Sequence, residues 1–109
     1  MMDVSVVTPE QEVWHGDADM VIARSPDGEF AIMNGHIPFL AALVPWRVTV
    51  VSGGSRESFF VPGGFLEASG SSDGYHVIVL ADDAQPVSDD IFEAQRLAAD
   101  MQNHEEDDA

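Results

Sequence analysis

Four histidines (His15, His36, His76 and His104) stand among 20 acidic residues, and together they are the groups best suited to chemistry. A metal site would need histidines two to five residues apart, or His-Glu-x-x-His on a helix, and neither spacing occurs. The chain has no cysteine, so thiolate ligands and disulfides are ruled out. No Gly-x-Ser-x-Gly elbow presents a serine nucleophile. The pair Gly63-Gly64 comes with neither a phosphate-holding lysine nor a Gly-x-Gly-x-x-Gly spacing, and a bend in a strand accounts for it. No catalytic residue, metal or cofactor is expected. The least ordinary stretch is GEFAIMNGHIPFLAAL, residues 28–43, where His36 precedes an uncharged apolar run. Read from the residues alone, the segment 39–44 is either an edge strand entering the core or an exposed apolar patch rimmed by Glu29 and His36. The second reading would mark a protein interface.

The elements that must hold these residues are bounded by the bulk numbers. A chain of 109 residues with 45% apolar and 22% charged side chains can build one core. Its start, MMDVSVVTPE, lacks the basic-then-apolar order of a secretory leader, so a protein made and kept inside the cell is expected. Apolar runs fall far short of the ~20 residues a membrane helix needs. A net charge of −16, with four arginines and no lysine, argues against nucleic acid and anionic lipid as partners. Half of the acids lie beyond residue 81, which makes the last quarter a separate compositional unit.

Periodicity supplies the order of elements. A first strand is expected to lead into Thr8-Pro9, and the segment 11–23 reads as a short and a longer strand broken at Gly16. Ser25-Pro26-Asp27-Gly28 is a turn, and EFAIM (29–33) alternates up to the turn at Asn34-Gly35. RVTVV (47–51) and ESFFV (57–61) flank a hairpin at Ser52-Gly53-Gly54-Ser55. FLEAS (65–69) and YHVIVLA (75–81) follow, with His76 turned outward. Short strands with turns every 8–12 residues or so indicate a mainly β sandwich or barrel over 1–85. After Pro86 the period becomes helical: Ile91, Ala94, Ala98 and Met101 share a face, so one helix is expected near 89–103, ending in an acidic tail. Trp14 is expected in the core, since such a ring buries about 150–250 Å². Trp46, between proline and arginine, is open to exposure.

Four segments in this order, VSVVTPEQEVWHGDADMVIA, DGEFAIMNGHIPFLAAL, FFVPGGFLEAS and VIVLADDA, resemble the epsilon subunit of the F-type rotary ATP synthase (delta in mitochondria). The resemblance covers about residues 3–85. It implies a flattened ten-stranded β-sandwich followed by a helical hairpin. It also implies a non-catalytic rotor subunit that joins the gamma shaft to the membrane c-ring, so that proton flow drives ATP synthesis. Such a subunit sits peripherally on the cytoplasmic face of the bacterial plasma membrane. By position, Glu29 matches the acid facing the ring loops. Gly35, His36, Pro38 and Leu40 match a Gly-His-x-Pro-Leu-Leu stretch at the rotor interface, with Phe39 at the first of the two leucine positions, and Gly63 and Gly64 match paired structural glycines. Three positions depart from the family pattern: Asn34 and Ile37 in the turn, and Trp46 where the family has a glycine. Only about 20 residues follow Pro86, enough for one helix of ~21 Å, so no inhibitory hairpin is expected. The family's ATP motif is out of register here, because Phe92 follows Ile91 and Arg96 comes one place late. ATP binding is therefore not expected. The alternative function is a divergent stand-alone β-sandwich that binds a different protein. A cupin-like enzyme would need the clustered histidines that the chain lacks.

Overall fold

Buried and exposed side chains alternate along most of the first 87 residues, and the chain forms ten strands from them. The computed structural model describes residues 1–35, 37–71, 74–88 and 95–100. The strands are β1 (Met2–Val7), β2 (Glu12–Ala18), β3 (Met20–Ser25), β4 (Gly28–Met33) and β5 (Phe39–Leu43), then β6 (Trp46–Ser52), β7 (Ser55–Val61), β8 (Gly64–Ser71), β9 (Gly74–Ala81) and β10 (Gln85–Val87). They make two five-stranded sheets, ordered β2-β1-β9-β8-β5 and β10-β7-β6-β3-β4. Every pairing is antiparallel except β1 with β9. The two sheets close as a sandwich on one core that includes Met2, Val4, Val6, Val21, Ile32, Val48, Val50, Leu66, Val77 and Val79. Each such side chain contributes roughly 1.5–3 kcal/mol relative to exposure.

Hairpins stay within a sheet, and the other connections carry the chain between sheets. At Ser52–Ser55 the turn glycines Gly53 and Gly54 have φ of 57° and 88°, the left-handed pair that suits the twist of a two-residue hairpin. The bend at Pro62-Gly63 is a corner between sheets. Gly64, with φ of 140°, lies so close to β9 that a Cβ there would run into the Leu80 carbonyl. The expected break at Gly16 does not occur. β2 runs straight through it, and the glycine makes room for the Trp14 ring, which would sit 3.2 Å from a Cβ at that position. The chain changes sheets instead at Asp19. Its N–H donates to the Val51 carbonyl (2.8 Å) and its carboxylate accepts the Gly53 N–H (2.9 Å).

The segment 39–44 contains an edge strand with one face in the core and one face outward. β5 is the edge strand of its sheet; Ala41 and Leu43 turn into the sandwich while Leu40 and Ala42 turn out. After the sandwich, residues 95–100 are helical. The rest of the helix expected over 89–103, and the acidic tail, lie outside the described residues.

Candidate functional site

Three surface features can meet a partner, and each is set by strand register. The first is apolar. On the outer face of the β2-β1-β9-β8-β5 sheet, Ala42 pairs with Phe65, Phe65 with Leu80, and Leu80 with Val7, so one row of apolar side chains crosses four strands. Leu40 and Ile78 stand in the next row, either side of Glu67. Leu40, Phe65 and Leu80 are 66%, 54% and 50% exposed. The row is contiguous rather than scattered, the kind of surface from which protein contacts are built.

The second feature lies where β5 ends. The Val44 N–H donates to the Arg24 carbonyl (3.1 Å), which holds the β5–β6 corner beside the end of β3. Trp46 folds into that corner and is only 7% exposed, so its buried place replaces the exposure left open by its proline and arginine neighbours. Its indole N–H donates to Glu29 Oε2 (3.0 Å), and the Arg24 guanidinium lies over its ring, 4.6 Å from the centroid. Arg24 and Glu29 face each other across β3 and β4. Ala98 of the helical segment borders an open cleft of about 350 Å³ here, with Arg24, Ser25, Val44 and Trp46.

The third feature joins residues far apart in sequence. β1 runs between β2 and β9, and Asp3 accepts from His15 Nε2 (2.8 Å) and approaches His76 Nδ1 (3.5 Å). Glu12 adds a second carboxylate 3.6 Å from His15 Nδ1. The hydrogen bond to Asp3 holds the His15 pKa above its ordinary value, and the same bond lowers that of Asp3. All four side chains are about half exposed, which suits a solvated ion-pair cluster.

The residues singled out in the sequence fall in different places. Glu29 is exposed and bonded to Trp46. Gly35 is an exposed turn glycine with φ of 85°, and Pro38 is exposed beside it. Leu40 lies in the apolar patch. Phe39 turns inward, its ring edge-on to Phe30 at 5.2 Å. His36 lies outside the described residues. Trp14 is half-buried against the core, and Gly63 and Gly64 form the corner that meets β9. The sequence reading missed Phe65 and Leu80. Their signal was present: in FLEAS and YHVIVLA the outward positions are themselves partly apolar, as in a strand covered on both faces.

Comparison with known proteins agrees with this architecture. The family model described as ATP synthase, Delta/Epsilon chain, beta-sandwich domain matches residues 1–87. The ATP synthase epsilon chain of Myxococcus xanthus is 39% identical over 102 residues, a match spanning 93% of this chain and 72% of that relative. The sodium ion specific ATP synthase epsilon chain of Propionigenium modestum is 38% identical over 96 residues, covering 87% of this chain and 67% of its own length. Among solved structures, a chain of the Euglena gracilis mitochondrial ATP synthase shares the fold. Its TM-score is 0.72 at 19% identity, covering 94% of this chain and 62% of that one. The protein therefore belongs to the delta/epsilon chain family of ATP synthase, and residues 1–87 are its β-sandwich domain.

Proposed function

We infer that this chain is a central-stalk subunit of the rotary synthase, joining the gamma shaft to the membrane c-ring so that ion flow is coupled to ATP synthesis. It does no chemistry itself and sits peripherally at the membrane. The observation that carries the reading is the apolar row Ala42, Phe65, Leu80 and Val7 on an outer sheet face, in a chain that belongs to this family. A rotor joint needs a stiff body with an apolar anchor to one partner and charged groups that set register against the other. In this reading the patch, with Leu40, meets gamma, and Glu29, at the β3–β4 turn end of the sandwich, meets the polar loops of the ring; Gly35, His36 and Pro38 are read as further contacts of the same rotor joint. Sandwich and appendage divide the work: residues 1–85 bind, and 86–109, which include the helical segment 95–100, are an appendage rich in acidic residues. The coupling ion is read as the proton, but it is selected in the ring rather than by this chain. No described helix is long and apolar enough to cross a membrane.

The test is reconstitution. Synthase depleted of this subunit and rebuilt into vesicles should leak its ion gradient without making ATP. Adding back the full chain should restore gradient-driven synthesis. Full coupling without the chain, or failure of the chain to join the complex, would refute the reading and favour a sandwich that serves another partner.

A further inference from the structure

Glu29 stands opposite Arg24 on the neighbouring strand, where a direct ion pair would neutralise both. Both side chains engage Trp46 instead. Its N–H takes one carboxylate oxygen at 3.0 Å, and its ring face takes the guanidinium at 4.6 Å. The ring is buried in the β5–β6 corner, so its donor is fixed by packing while Glu29 remains exposed. An indole has one donor and no acceptor, whereas a carboxylate has about four acceptor sites. One bond therefore fixes the direction of the carboxylate and leaves capacity for a donor from outside. A charge held in place loses less side-chain entropy on binding than a freely rotating one.

We propose that Trp46 is the positioning residue of Glu29: it aims the carboxylate at a cationic or amide donor on a polar loop of the c-ring and diverts Arg24 from quenching it. This rests on the reading of Glu29 as a ring contact. It assigns a role to a residue that itself lies buried behind the contact.

The test uses the full chain, purified c-ring in detergent, and purified gamma as a control for folding. Trp46→Phe keeps an aromatic ring for Arg24 and removes the donor together with part of the buried ring, a packing loss that the gamma control reads. It should weaken ring binding about fivefold, in line with the ordering cost of one side chain that is no longer held in place, with gamma affinity unchanged. Glu29→Gln should weaken ring binding at least as much, and the double variant should bind no worse than Glu29→Gln alone. If Glu29→Gln weakens binding while Trp46→Phe matches wild type, or if the two losses add, the positioning role is wrong and the ring contact stands. If gamma affinity falls together with ring affinity, the role of Trp46 is structural only and the proposal fails. If Glu29→Gln binds the ring like wild type, the ring contact and the proposal fail together.

Discussion

Asp3 gathers two histidines that the sequence keeps far apart, and its effect on stability has a definite pH window. His15 is raised by its hydrogen bond to Asp3, so its contribution is complete below its ordinary value of 6.5 and is lost as pH rises through the raised value. Asp3 is lowered chiefly by the same bond, so its contribution is complete above its ordinary 3.8 and is lost as pH falls through the lowered value. The pair therefore stabilises most between about pH 4 and pH 6.5. The difference in thermal midpoint between wild type and His15→Gln should be largest in that window and fade as the medium turns alkaline. A difference that does not vary with pH would contradict the pairing. NMR titration gives a second check: Asp3→Asn should bring the His15 pKa down, and an unmoved titration would mean that another group raises it. Local spacing rules could not find this cluster. The histidines meet only because β1 pairs in parallel with β9 while also pairing with β2.

At the scale of elements, the corner at Gly63-Gly64 is the sharpest test of the fold. Gly64→Ala meets both a φ of 140° and the Leu80 carbonyl, and should cost about 3 kcal/mol or more. Gly53→Ala has a φ of 57° with open space around it, so it should cost only about 1–2 kcal/mol. Denaturant unfolding of both variants measures the gap, and equal losses would contradict the close approach of β8 to β9. Most strands were legible in the sequence because alternation and turn chemistry agree there: Ser25–Gly28 and Ser52–Ser55 close hairpins as their residues demand. Gly16 misled because glycine signals a break and a tight fit equally, and the Trp14 ring that decides between them lies on the same strand face. β10 has three residues and no pattern long enough to read. The change of sheet at Asp19 depends on contacts with Val51 and Gly53, which no window of local sequence contains.

Over the whole molecule, a net charge of −16 on 109 residues means self-repulsion that salt should relieve. Since screening lengths shrink from about 10 Å at 0.1 M to about 3 Å at 1 M, the thermal midpoint should rise with sodium chloride across that range. A flat or falling midpoint would show that local pairings outweigh the net charge. The candidate surface was legible only in part. GEFAIMNGHIPFLAAL pointed to Glu29 and Leu40, but the patch around Leu40 is completed by Phe65 and Leu80 from strands far along the chain, and only register brings them into one row. Nor could composition tell that Trp46 would be buried against Arg24 and Glu29, since its neighbours Pro45 and Arg47 suit a surface position equally well. In the proposed function this outer sheet face docks the gamma shaft. That docking is tested most directly by the affinity of purified gamma for the full chain, wild type against Leu80→Glu. The side chain is half exposed, so the variant should fold with an unchanged thermal midpoint. Burying its charge in an apolar contact should weaken gamma binding about tenfold or more. Equal affinity in the folded variant would contradict the account and place the gamma contact elsewhere on the molecule.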